Sequence, residues 1–389
     1  MIDYDKLLNS KVKSLKPSGI RRFFSLAADM PDCISLGVGE PDFVTPWKIR
    51  EAGIESLERG KTWYTANAGI DTLRDEISIY QKRRFGLDYD SKTEITVTVG
   101  GSEAIDLCLR SLVNPGDEVI IPMPCFVAYE PIARMCDAVV VPIETKSENA
   151  FRLTADDLRA AITDKTKLVV LPFPNNPTGA VMRREHLIEI AKVLEGTDIM
   201  VLSDEIYAEL TYGERHVSIA SLSQDMWDRT IIVNGFSKAY AMTGWRLGYA
   251  CGPAPIIKQM LKLHQFAIMC APTTSQFAAI TALRECDDSV ESMATEYNMR
   301  RRFVVDSFNK MGLSCFEPEG AFYVFPSIQS TGLSSLEFCE KLLYAKHIAV
   351  VPGDAFGSCG EGFVRVSYSY SVAHLAEALK RIEEFLKEL

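Results

Sequence analysis

The chain has 389 residues, 47% of them hydrophobic and 24% charged, with a formal net charge of −10. That length supports a sizeable core and suggests two or three domains, or one large domain with a smaller one attached. The acidic excess argues against general affinity for nucleic acid or anionic membrane.

The N-terminal stretch MIDYDKLLNSKVK has no apolar run of the kind a secretory signal needs. No segment approaches the ~18 consecutive apolar residues of a membrane span. The 10 cysteines and 5 histidines are scattered, with no C-x-x-C or H-x-x-x-H spacing. Reduced thiols of a cytoplasmic protein are the expectation, rather than a disulfide frame or a metal site.

Along the chain, DCISLGVGEPDF reads as a strand and turn whose partner lies far away in sequence. EITVTVGG is β-rich and runs into SEAIDLCLRSLV, where apolar residues recur at helical spacing. Ser102 is placed to cap that helix. A turn at Asn114–Asp117 precedes the strand EVIIPMP, and AVVVPIE is a further strand. Thr154 caps a helix in TADDLRAAI, with Asp157 three residues on. KLVVLPFP, IMVLSDE, TIIVNGF and LGYACG are short β-rich runs, and RREHLIEIAKVLEG is a helix between two of them. This alternation implies an α/β fold, with a mostly parallel sheet covered by helices. After about residue 286 the pattern changes to a long charged helix, short strands and two further helices, a smaller α+β unit. The expected division is an N-terminal arm (1–45) that packs with the small domain, a large domain (46–285) and the C-terminal small domain (286–389).

In open α/β sheets, ligands bind beyond the carboxyl ends of the strands. Several polar residues fall there. GGSEA follows EITVTV; its glycines admit close backbone approach, and a helix start favours phosphate. NNPTG (Asn175–Gly179) follows KLVVLPFP. Asp204 and Tyr207 follow IMVLS. Ser237, Lys238 and then Arg246 follow TIIVNGF in a stretch otherwise too apolar for a solvated face. Arg365 sits in the middle of the strand GFVRVSYS. Alone, each has a plain reading: a turn, a capping aspartate, a surface lysine, a salt-bridged arginine. Together they meet the needs of one cofactor. Pyridoxal 5′-phosphate takes a lysine for its Schiff base, an acid at its ring nitrogen, donors for its phenolic oxygen and anion binders for its phosphate.

Here the chain resembles the fold-type I, class I aminotransferases, in the group of bacterial and archaeal aspartate and aromatic aminotransferases. The matching stretches run through nearly all of it: SLGVGEPDF, YTANAGIDTLR, VTVGGSEAIDL, NNPTGAV, LSDEIY, NGFSKAYAMTGWRLGY, PEGAFYVFP, AVVPGDAFG and VRVSYS. The resemblance implies an L-amino acid:2-oxo acid transaminase using pyridoxal phosphate. Lys238 would carry the cofactor and move the proton between the substrate Cα and C4′. Asp204 would hold the ring nitrogen protonated. Asn176 and Tyr207 would contact the phenolic oxygen, and Phe126 would stack on the ring. Gly101, Ser102 and Glu103, through their backbones, would bind the phosphate together with Ser237 and Arg246. Arg365 would pair with the substrate α-carboxylate, and Gly39 would face the substrate. Tyr64 would reach the phosphate of a neighbouring subunit, which implies a homodimer with shared sites. One departure is Gly235, where several relatives carry a serine three residues before the lysine.

The same scaffold in a β-C–S lyase, or in a non-enzymatic regulator bearing an added DNA-binding domain, is the competing expectation. The resemblance begins near residue 14, which leaves no room for such a domain. Nicotinamide binding is excluded because GVGEPD lacks the final glycine of G-x-G-x-x-G. Relatives strongly active on aspartate often have a lysine where this chain has Ser102. That favours aromatic or other apolar amino acids, with 2-oxoglutarate as acceptor. Aspartate and N-acetyl-diaminopimelate are the alternatives. A distal carboxylate would need another cation, for which Lys16, Arg21 and Arg22 are the candidates.

Overall fold

The computed structural model describes residues 2–15, 30 and 32–389. Its centre is a seven-stranded sheet in the order β2-β8-β7-β6-β5-β3-β4. The strands are β2 (Ile95–Thr98), β3 (Glu118–Met123), β4 (Val139–Glu144), β5 (Thr166–Leu171), β6 (Met200–Asp204), β7 (Thr230–Gly235) and β8 (Gly248–Cys251). Only β8 runs against its neighbours; the other pairings are parallel.

The alternation of side chains along a strand explains the near-continuous Val/Ile/Leu runs, because both faces are covered. From β5, Leu168 and Val170 pack with Ile105 and Leu109 of the helix Gly101–Leu112 and with Ile257 and Met260 of Ala254–Ala267. Val169 and Leu171 face the other way, against Leu158 of Ala155–Ala161 and Leu187 and Ile190 of Arg184–Leu194. Thr154 caps its helix as its sequence suggests, accepting from the Asp157 N–H at 3.1 Å.

β1 (Ile34–Ser35) pairs in parallel with β10 (Ile348–Ala349). β12 (Val364–Ser367) lies between β11 (Val351–Pro352) and β9 (Tyr323–Val324), antiparallel to both. The helices Asp287–Lys310, Ser335–Lys346 and Val372–Glu388 supply Val304, Phe308, Phe338, Leu342, Leu375 and Leu379 to a core that also takes Ile34 and Leu36.

Ser102 is not the N-cap of its helix. Gly100 is, with no side-chain cap and φ +78°. The first turn is instead closed by the Glu103 carboxylate, which accepts from the Val99 N–H and lies 2.7 Å from His264 Nδ1.

Candidate active site

Beyond the carboxyl ends of β2, β3, β5, β6 and β7 lies a cleft of about 370 Å³, bordered on the far side by β9 and β12. Its size is ordinary for a small-ligand site. Lys238, three residues past β7, projects into it part-buried and donates from Nζ to the Gly39 carbonyl at 2.6 Å. Its ammonium also lies 5.7 Å from the Tyr207 ring centroid and 5.6 Å from that of Phe322. Burial first, and then the Arg365 charge, lower the Lys238 pKa to about 8. A lysine so tuned is a competent nucleophile near neutral pH.

Asp204, the last residue of β6, is 6% exposed and forms no ion pair among the described residues. It accepts from Tyr129 Oη at 2.6 Å and from the Ile206 N–H at 3.1 Å. Burial raises its pKa to about 6, against the opposing pull of those two hydrogen bonds. A buried carboxylate with two neutral donors and no cation is poised for a cationic ligand atom. Tyr207, three residues on, meets Tyr323 hydroxyl to hydroxyl at 2.8 Å.

The turn from β2 into the Gly101–Leu112 helix forms the third wall. A Cβ at Gly100 would fall 2.8 Å from a guanidinium nitrogen of Arg246, so only glycine lets this turn and that cation meet. Arg246 itself adopts φ +52° and donates to the Thr243 carbonyl at 3.1 Å. It is exposed to the cleft rather than interior, although its sequence neighbours are apolar. Ser237 lies on the same wall, 8% exposed. Helix N–H groups, a hydroxyl and a guanidinium form an anion cradle. Gly235 is fixed by packing: a Cβ there would sit 3.0 Å from the backbone of both Gly248 and Leu247. Strands β7 and β8 meet too closely at this point for a serine side chain to fit without movement.

Arg365, on β12, is 3% exposed and pairs with no carboxylate among the described residues. It donates to Asn176 Oδ1 at 2.8 Å and to the Gly37 carbonyl, while Nε has no partner among the described residues. Its guanidinium is sandwiched between Tyr323 at 4.6 Å and Phe356 at 4.8 Å. A buried cation held by neutral groups, with a donor left over, is suited to an anionic ligand.

The family model "Aminotransferase class I and II" matches residues 31–382. The chain belongs to that family. The aminotransferase is 53% identical to YugH of Bacillus subtilis (strain 168), a protein bearing an aminotransferase name, over 97% of this chain and 98% of that one. It is 44% identical to the aspartate aminotransferase of Pyrococcus abyssi (strain GE5 / Orsay), covering 98% of each. The crystal structure of the aromatic aminotransferase of Pyrococcus horikoshii OT3 superposes with a TM-score of 0.90 at 44% identity, covering 94% of this chain and 99% of that one. The enzyme is therefore a pyridoxal-phosphate-dependent transaminase of fold type I, acting on amino and oxo acids. The cleft fits that cofactor: an anion cradle at one end, an unpaired buried acid at another and a lysine of lowered pKa between them.

Of the residues singled out from sequence, the cleft gathers Gly39, Gly101, Ser102, Phe126, Asn176, Asp204, Tyr207, Ser237, Lys238, Arg246 and Arg365. Two stand apart. The Glu103 side chain is engaged with Val99 and His264, so only its backbone can serve the cradle. Tyr64 is 75% exposed and does not line the cleft. Lys16, Arg21 and Arg22 lie outside the described residues. Tyr129 and Tyr323 were not foreseen. Tyr129 could have been found from its place three residues after Phe126, but Tyr323 is brought in only by strand pairing with Ser367.

Proposed function

We propose that the aminotransferase moves the α-amino group of an aromatic or other apolar L-amino acid to 2-oxoglutarate. The observation that carries the substrate reading is the charge of the cleft. Among the described residues lining it, the cations are Lys238, Arg246 and Arg365, each with a task that any amino acid substrate requires, and Glu40 is a further acid. Ile105, Phe126, Pro174 and Ile206 supply apolar wall. Among the described residues a substrate side-chain carboxylate would meet Glu40 and no spare cation, so any distal carboxylate depends on Lys16, Arg21 or Arg22. The second carboxylate of 2-oxoglutarate is assigned to Lys16, Arg21 or Arg22.

Bound pyridoxal phosphate supplies an electron sink that acidifies the substrate Cα–H. The protein does the rest. Lys238 Nζ holds the cofactor and carries the proton from Cα. The Asp204 carboxylate, oriented by Tyr129, would hold the ring nitrogen protonated. Tyr207 and Asn176 donate toward the phenolic oxygen, Phe126 covers the ring, and Gly39 faces the substrate. Gly101, Ser102, Glu103, Ser237 and Arg246 bind phosphate. Arg365 takes the α-carboxylate with donors that a lysine cannot arrange.

The working unit in this proposal is a homodimer. Trp47, Trp63, Tyr64, Phe266, Ile268 and Met269 are large and at least 44% exposed. Hydrogen bonds from Asn67 to the Met269 carbonyl and from Thr273 to the Trp63 carbonyl, both 2.7 Å, tie the two stretches into one face. An apolar face of that kind marks an interaction site, and in this proposal Tyr64 on it would enter the site of a second copy. The domain division at residues 45/46 and 285/286 is likewise proposed, supported by the β1–β10 pairing.

The test compares kcat/KM for phenylalanine, tyrosine, aspartate and N-acetyl-diaminopimelate under one set of conditions. Phenylalanine or tyrosine is expected to lead. A preference for aspartate over phenylalanine of more than about tenfold, ~1.4 kcal/mol, overturns the aromatic assignment and leaves the transaminase chemistry intact.

A further inference from the structure

Tyr323 touches three parts of the site at once. Its hydroxyl lies 2.8 Å from that of Tyr207. Its ring covers the Arg365 guanidinium at 4.6 Å. A Cβ on Gly39 would fall 2.3 Å from its hydroxyl oxygen, so the loop whose carbonyl accepts the Lys238 hydrogen bond lies directly against it. The residue is 1% exposed, and β9 sets it opposite Ser367, two residues from Arg365 on β12.

Burial raises the pKa of both phenols, so both carry their protons at neutral pH. Two hydroxyls in contact share one hydrogen bond, and one proton is left to point elsewhere. Tyr323 Oη makes no other hydrogen bond among the described residues, and Gly39 lies directly against it. Tyr207 opens on the cleft, with Lys238 over its ring at 5.7 Å and Asp204 nearby. The charge that faces Tyr323 is Arg365.

We propose that Tyr323 is a positioning residue: its hydroxyl donates to Tyr207, freeing the Tyr207 proton to point into the cleft, and its ring holds the Arg365 guanidinium flat for a carboxylate. This rests on the functional reading above. The hydroxyl pair links the group that donates toward the cofactor's phenolic oxygen to the group that binds the substrate carboxylate. Donation into a second phenol strengthens that phenol as a donor, the usual cooperativity of hydrogen-bond chains.

The test is a pH titration of the visible absorbance of the cofactor-loaded enzyme, with 3-phenylpropionate affinity as a second readout. In Tyr323→Phe the midpoint of the absorbance change is expected to rise by roughly a few tenths of a pH unit, because the variant removes the strengthening of the Tyr207 bond and leaves that bond in place. Tyr207→Phe should raise it at least as far. The double variant should move no further than Tyr207→Phe alone, because the two act as one unit. Tyr323→Phe keeps the ring, so 3-phenylpropionate should bind within about twofold of wild type, whereas Tyr323→Leu should weaken it roughly threefold to tenfold. An unchanged midpoint in Tyr323→Phe, or additive shifts in the double variant, overturns the proposal, and equal 3-phenylpropionate affinity in Tyr323→Leu overturns its second half. A wild-type enzyme with no titrating absorbance would instead overturn the functional reading itself.

Discussion

Lys238 and Gly39, 199 positions apart in the chain, are joined by a 2.6 Å hydrogen bond from the lysine ammonium to the glycine carbonyl. That bond places the only lysine among the described residues of the cleft against the loop at Gly39, with its pKa brought down to about 8. The neutral amine is the form that attaches a carbonyl cofactor, and its fraction grows as pH rises through the pKa.

The rate of cofactor attachment to cofactor-free enzyme is therefore expected to rise with a midpoint near pH 8 and to level off above it. Lys238→Ala should abolish covalent attachment and transamination while still binding cofactor. Borohydride reduction followed by peptide mapping checks the site. A label on any other lysine would remove the basis of the assignment.

Asp204 should be costly to the cofactor-free protein and indispensable to the loaded one. Its folded pKa is raised to about 6, so the folded state binds more protons than the unfolded state between the ordinary aspartate value and about pH 6. The stability contribution of this group is full below that window and lost as pH rises through about 6. Asp204→Asn should stabilise cofactor-free protein at pH 7 by on the order of 1–3 kcal/mol, read by denaturant titration. The same variant should slow Cα proton removal by several orders of magnitude. A single-turnover rate within about tenfold of wild type, ~1.4 kcal/mol of barrier, contradicts the role.

Arg365→Ala should cost about 2–5 kcal/mol in transition-state binding, the scale for removing one member of a buried hydrogen-bonded charge pair. The loss should appear with every amino acid and be absent with simple amines. Half-reaction rates for an amino acid and the corresponding amine make the comparison; equal damage to both counts against carboxylate recognition.

Tyr64 should act across the subunit boundary. Tyr64→Phe is expected to weaken cofactor retention on dialysis. Mixing Tyr64→Phe with Lys238→Ala subunits should give hybrids in which one of the two sites carries both defects and the other neither. A fully active monomer in sedimentation would refute the shared-site arrangement.

The sequence alone determined a good deal. Short apolar runs alternating with helical periodicity specified a parallel sheet, because strands covered on both faces cannot tolerate polar alternation. Residues directly after such runs, Asp204 after IMVLS and Lys238 after TIIVNGF, could be named because a charge there has no solvated face to occupy. The spacing of Lys238, Arg246 and NNPTG identified the cofactor through family resemblance. Tertiary structure decided what depends on meetings between distant segments. Arg365 reads locally as a cation in a strand; only the fold brings it to Asn176, 189 residues away, and between two aromatic rings. Ser102 reads locally as a helix cap, but the turn is set by Gly100, which alone leaves room for Arg246. Tyr323 gives no local signal at all. Its partners are Tyr207, Gly39 and Arg365, and hydrogen bonds and packing contacts of that range follow from strand register and burial, which no single segment encodes.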